Sequence, residues 1–172
     1  MSGLKGDWNQ LDEILNPAKI AAGVNQAAAR VGNYGVSEVK RGIISGSPGG
    51  EAFAPLSSFT IARKGSSKPL IDKGDLVGSI TYQVIDSHNV FIGVKKGDEA
   101  NIAAVHEFGC MIRVTSKMRA YLHYQGIHLR ASTQMIYIPP RAFLRPVLHS
   151  SDFQRGVIDI YIRALERIFH KC

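Results

Sequence analysis

The sequence predicts an α+β fold, an antiparallel sheet of about four strands packed by an N-terminal helix and a long C-terminal helix, with extended loops between them. Three observations carry that expectation. Apolar residues recur at helical spacing near both ends of the chain, and strand-like apolar runs occur at four places in its middle. Long stretches rich in Gly, Ser and Pro, or in basic and aromatic residues, separate those runs. With 172 residues the chain has the length of a single domain, 1–172, because about 100 to 200 residues usually share one core. Its 45% hydrophobic and 20% charged content supplies enough apolar surface to offset the entropy of ordering.

The first element starts at Asn16, a side chain suited to an N-cap, followed by Pro17, whose fixed φ suits the first helical position. Ile20, Val24, Ala27, Ala28 and Val31 then share one face, giving an amphipathic helix of about fifteen residues. "GNYG" at 32–35 weakens or ends it, and Ser37 can cap a further turn or two through Val39 and Ile43, which makes 1–45 a helical N-terminal part. Residues 45–69 lack periodicity and are rich in Gly, Ser and Pro, so they read as a long loop.

At Leu76 the period changes. "LVGSITYQVID" and "NVFIGVKK", split at "SHN", form the pattern of an antiparallel hairpin, with Ile80, Tyr82 and Val84 on one face. "DEANIAAVHEFG" returns to helical spacing, with Ile102, Val105 and Phe108 along one side and Gly109 as the stop. "MIRVTS" (111–116) and "MIYIP" (135–139) are two further strands, and the Pro139–Pro140 pair closes the second because proline cannot donate to a ladder. Between them runs a basic and aromatic excursion, expected to be an extended loop. "RAFLRPVL" is a turn or a short helix. Ser150 or Ser151 then caps a helix whose Phe153, Val157, Ile160, Tyr161, Ala164, Leu165 and Ile168 form a wide apolar stripe.

Charge is distributed unevenly. Nearly all of the formal +7 lies in residues 111–149, where Arg113, Lys117, Arg119, Arg130, Arg141 and Arg145 meet no acid. The chain contains no run of eighteen apolar residues and its start lacks the signature of a signal peptide, so the expectation is synthesis and retention in a cytosol, with no membrane partner. Cys110 and Cys172 offer neither a disulfide framework nor a metal spacing.

No stretch of the sequence presents a complete catalytic or metal-binding pattern. "HEFGC" at 106–110 departs from H-E-x-x-H because Cys110 stands at the fifth position and Gly109 breaks the helix that would align two ligands. A Cys110–His106 nucleophile pair lacks an identifiable third, orienting group. The plainer expectation has His106 at a helix end interacting with the last carbonyls, and Glu107 pointing to water or a neighbour. His123 and His128 are five apart, a spacing that converges on one ion in neither helix nor strand. The glycines at 46–50 match no phosphate-binding loop. No cofactor and no metal are therefore expected. The basic segment, with Tyr121 and Tyr124, suits either a phosphate backbone with stacked bases or a protein interface, since Tyr and Arg favour both.

Several stretches together resemble the phage virion morphogenesis family, the tail-completion proteins of Mu-like phages. "FAPLSSFTIARK" carries Phe53, Pro55, Leu56, Thr60 and Lys64 at the positions of the family's aromatic, Pro-Leu, threonine and lysine. "LIDKGDLVGSI" carries Leu70, Gly74, Leu76, Ser79 and Ile80 in the pattern of its next run. "HEFG" at 106–109 is similar to its His-[Glu/Gln]-Phe-Gly corner, "IPPRAFL" at 138–144 to its Ile-Pro-Ala-Arg-Pro-Phe-Leu box, and "VTSKMRAYLHYQGIHLR" to a longer form of the loop between them. The likeness spans roughly residues 42–146. Phe53 stands where tryptophan is common, and Pro140 and Ala142 reverse the small-then-proline order around Arg141.

This resemblance implies a structural role without catalysis. It implies a corner of His106, Glu107, Phe108, Gly109, Pro139, Pro140, Arg141, Phe143 and Leu144 in which Gly109 makes a sharp exit, Phe108 anchors in the core, and Arg141 is presented while Phe143 and Leu144 pack beneath it. It also implies a virion protein of the head–tail neck that completes or terminates the tail as a ring, with a hexamer expected from the sixfold symmetry of tails. Its partners would be copies of itself and neighbouring neck and tail proteins, with DNA a candidate occupant of the lumen. A ring needs two different surfaces on each subunit. The loop 45–69 and the basic arm 111–134, with Lys117, Arg119, Tyr121, Tyr124 and Arg130, are the candidates. The rival readings are a basic nucleic-acid-binding module and a hydrolase using His106 and Glu107.

Overall fold

The computed structural model describes residues 15–169. Helix α1 covers Pro17–Ser45, with the Asn16 side chain accepting from the backbone N–H groups of Ala18 at 2.9 Å and Lys19 at 3.3 Å. It runs unbroken through "GNYG", where the sequence predicted a break. Gly32 and Gly35 are places of close approach: a Cβ at Gly32 would lie 2.1 Å from the Tyr82 ring, and one at Gly35 2.3 Å from Ile92. Packing of the hairpin against these bare positions compensates for their poor helix propensity. Ser37 bonds back to the Asn33 carbonyl at 2.9 Å rather than capping a new helix. The helix ends at Gly46 in the left-handed conformation (φ 80°).

The predicted loop at 45–69 also contains helical structure, a 3₁₀ turn at Pro48–Gly50 and helix α2 at Ser58–Lys64, capped by Ser57. No spacing rule singled out α2, because seven residues with no buried side chain leave no periodic face to read. Helix α3 (Asp75–Ser79) occupies the start of the run predicted as strand, and strand β1 begins at Ile80. β1 (Ile80–Val84) pairs antiparallel with β2 (Val90–Val94), Val84 opposite Val90. The Asp86 carboxylate closes their turn by accepting from His88 and Asn89 N–H groups, both at 2.8 Å.

Helix α4 (Asp98–Phe108) stops at Gly109, and strand β3 (Cys110–Arg113) leaves at once. Helix α5 (Ser116–Tyr124) fills the segment predicted to be extended, with Thr115 as its cap. Strand β4 (Met135–Ile138) returns antiparallel to β3, followed by α6 (Arg145–Leu148) and α7 (Ser151–Phe169). Ser150 accepts from the Phe153 N–H at 3.2 Å and is the residue that caps α7.

The α+β class agrees with the sequence, but the single sheet of about four strands does not. Among the described residues there are two separate two-stranded antiparallel sheets. Periodicity locates strands without saying which strands share a ladder. β1–β2 lies on α1 through Tyr82 and Ile92, whereas β3–β4 hangs from the corner beyond α4, its corner end limited by Pro139 and Pro140.

The core gathers Val39, Ile43, Leu76, Ile80, Ala103, Phe143 and Val147 between α1, the hairpin, α4 and α6. α7 packs antiparallel on α1, with Ile168 against Gly23 and Phe153 stacked on Tyr34 at 5.3 Å between centroids. Of its expected stripe, Phe153 and Ala164 are buried and Leu165 turns outward, beside the exposed Ile158, Ile162 and Phe169.

Candidate functional site

Two sequence stretches predicted to form a corner, His106–Gly109 and Pro139–Leu144, meet in the structure. A buried carboxylate joins them. Glu107 is only 4% exposed, and its Oε2 accepts from the backbone N–H groups of Phe143 (2.8 Å) and Leu144 (3.0 Å) while Oε1 accepts from that of Arg145 (3.0 Å). The three N–H groups lie at and just before the start of α6, where no helical carbonyl is available to them, so the carboxylate caps that helix from another element. The Arg145 guanidinium adds a longer contact, Nε to Oε1 at 3.5 Å. Of the two directions expected for Glu107, water or a neighbour, the structure takes the second: the end of α4 aims it into the protein, where backbone donors compensate its desolvation.

Arg141 makes the reciprocal tie. Predicted to be presented, it is instead buried, and its fork donates from Nε to the Ala54 carbonyl (2.8 Å) and from Nη2 to the Pro55 carbonyl (2.9 Å). Its backbone N–H donates to the His106 carbonyl at 2.6 Å. Arg141 therefore holds the "FAPL" stretch against the corner, and three separated motif regions converge on one node. Phe143 is fully buried beside it and Leu144 half-buried.

Gly109 makes the exit with φ 74° and ψ 166°, a conformation essentially restricted to glycine. A Cβ there would also sit 3.0 Å from the Ile138 carbonyl oxygen and 3.1 Å from the Pro140 ring. Phe108, expected in the core, is 66% exposed, because the turn at Gly109 directs Glu107 inward and leaves its neighbour outside. The Arg145 guanidinium lies over its ring, 5.0 Å from the centroid.

His106 does not bond the last helical carbonyls as expected. Its Nδ1 is buried without a hydrogen-bond partner, and burial, then the positive charge of Arg141, lowers its pKa below the ordinary histidine value. The residue lines a cleft of about 530 Å³ with Leu56, Arg63, Lys64, Lys73 and Asp75. Among the described residues no three His, Cys, Asp or Glu side chains cluster as metal ligands. Cys110 is a half-buried free thiol.

The arm beyond the corner is a short ribbon with a helix at its end. Met111, Arg113, Met135 and Tyr137 are exposed on one face of β3–β4, while Ile112, Ile136 and Ile138 are half-buried on the other. Lys117, Tyr124 and Arg130 of the predicted interface set are exposed, and Tyr124 stands 85% clear. Arg119 is turned inward: its guanidinium donates to the carbonyls of Leu129 (3.3 Å), Arg130 (2.9 Å) and Thr133 (2.7 Å), which makes it the clasp of the arm. Tyr121 lies beneath the Arg63 guanidinium of α2 at 5.9 Å. Sequence reasoning missed Ala54 and Pro55 as acceptors and Arg63 as a neighbour, since contacts across such separations leave no local signature.

The fold is an α+β body from which a basic ribbon extends past a corner held by Glu107 and Arg141. The chain belongs to the phage virion morphogenesis family, whose model matches residues 7–166. No curated protein and no solved structure matches it. Family membership makes it a structural protein of phage virion assembly. No helix among the described residues is long and apolar enough to cross a membrane.

Proposed function

We propose that the chain is a ring-forming subunit at the head–tail neck, completing or terminating the tail and joining it to the head. The observation that carries the reading is the pairing of family membership with the form of the arm. The node at Glu107 and Arg141 fixes the base of a ribbon whose outer face displays Met111, Met135 and Tyr137 beside Arg113, a mixture of apolar, aromatic and guanidinium groups typical of interface cores. The arm supplies one surface of a head-to-tail contact. The opposite surface is supplied by another region, for which the 45–69 segment is the candidate.

A hexamer is the expected closure. Lys117, Tyr124 and Arg130 serve the contact directly, and Arg119 serves it by holding the arm's shape. Neighbouring neck and tail proteins stack on the ring faces, and exposed arm cations would line the lumen near DNA.

The test is removal of residues 117–130, followed by light scattering on the purified chain and by complementation of assembly. A folded monomer that fails to oligomerise and yields tails without joined heads is expected. Full rings from the shortened chain would refute the assignment of the arm. Steep loss of DNA affinity between low and moderate salt, with no oligomer at any concentration, would instead favour a nucleic-acid module.

A further inference from the structure

We infer that His123 and His128, at the tip of the arm, form a chelating site for a borderline divalent transition-metal ion, namely Zn²⁺, Ni²⁺ or Cu²⁺. Their separation of five suits no regular element. The structure brings them together because His123 lies in the last turn of α5 and Gly126, with φ 79°, reverses the chain. The Ile127 N–H bonds to the Leu122 carbonyl at 2.8 Å and the Gly126 N–H to that of His123 at 2.9 Å, fixing the turn. Arg119 then holds Leu129 and Arg130 through their carbonyls, so the irregular segment carrying His128 is tied back to α5.

The two Nδ1 atoms are 2.8 Å apart, with ring centroids 4.5 Å apart and planes inclined at 69°. With one ring carrying the Nδ1 proton, the contact is a hydrogen bond between the two imidazoles. With that proton displaced, both Nδ1 lone pairs are within reach of one ion, because two imidazole nitrogens about 2.05 Å from a tetrahedral metal lie about 3.3 Å apart, roughly 0.5 Å beyond the present spacing.

Two imidazole nitrogens select ions that favour nitrogen donors over the hard cations Mg²⁺ and Ca²⁺. Among the described residues no third such ligand joins them, so water completes the coordination. An ion held there would staple the end of α5 to the returning loop and stiffen the tip. The site does not depend on the ring assignment, and either can fail without the other.

The test is calorimetric titration of the tag-free full-length chain with NiCl₂, ZnCl₂ and MgCl₂ at pH 7.5. Expected is one Ni²⁺ or Zn²⁺ per chain and no heat from Mg²⁺. His123→Ala and His128→Ala should each weaken binding about tenfold or more, equivalent to about 1.4 kcal/mol. His88→Ala and His149→Ala should leave it unchanged. Arg119→Ala, which loosens the clasp without removing a ligand, should weaken it by a smaller factor. Binding undiminished in the double His123→Ala/His128→Ala variant, or the same weak binding in wild type and both single variants, would overturn the assignment.

Discussion

Glu107→Gln tests the node most sharply, because it preserves size while removing charge and one acceptor. The carboxylate holds three backbone N–H groups at 2.8 to 3.0 Å from a nearly solvent-free position. Glutamine has one carbonyl oxygen, which can keep Phe143 and Leu144, but its amide group then faces the Arg145 N–H, donor against donor. Hydrogen bonds to a charged acceptor contribute about 1.5 to 3 kcal/mol each, and a buried unsatisfied donor costs about 1 to 3 kcal/mol. The Arg145 ion pair adds little, since that side chain is 59% exposed. Glu107→Gln should therefore destabilise by about 2 to 4 kcal/mol, and Glu107→Ala by more, because all three donors lose their partner. In a chain of this size that corresponds to a loss of about 5 to 12 °C in Tm. Urea and thermal unfolding followed by circular dichroism read the change directly, with Glu99→Gln, an exposed acid on the same helix, as the control. A Glu107→Gln variant within about 0.5 kcal/mol of wild type would show that the carboxylate does not hold the corner.

Three further predictions concern the same node. Gly109→Ala should destabilise by about 2 to 3 kcal/mol, from backbone strain together with the contact on the Ile138 carbonyl and Pro140; unchanged urea midpoints would refute the exit geometry. Arg141→Lys keeps the charge but loses the two-pronged grip on Ala54 and Pro55, so proteolysis of the 53–56 stretch should accelerate while Arg130→Lys leaves it unchanged. His106 has a pKa lowered by burial and by Arg141, so on acidification the unfolded chain gains its proton first, near pH 6.5, and the folded state loses stability until its own lower pKa is reached. Melting temperatures measured from pH 7.5 to 5 should fall less steeply for His106→Asn than for wild type; parallel curves would contradict the assignment.

Much of the fold was legible because local chemistry specified it. Asn16–Pro17, Ser150 and Gly109 mark helix ends through capping and backbone freedom, and the Val84–Val90 hairpin follows from alternation across a short polar turn. What escaped was set by tertiary contact. The break expected at "GNYG" is absent because Tyr82 and Ile92 pack on those glycines, and the expected four-stranded sheet is two ribbons because strand periodicity carries no partner information. At the candidate site the residues were legible but their directions were not. Arg141 read as a presented charge and Glu107 as facing water or a neighbour, yet both are buried with backbone partners far away in sequence; Phe108 read as core and faces outward. Hydrophobicity alone gives that reversed assignment, since a charged side chain that satisfies backbone groups is indistinguishable in sequence from a solvated one.

The most direct measurement of the central claim is imaging of the assembled particle at a resolution that places this chain. A closed ring of copies at the junction of tail and head, with β3–β4 ribbons lying between neighbouring subunits, is the predicted result. The chain located elsewhere in the particle, or absent from finished virions, would contradict it.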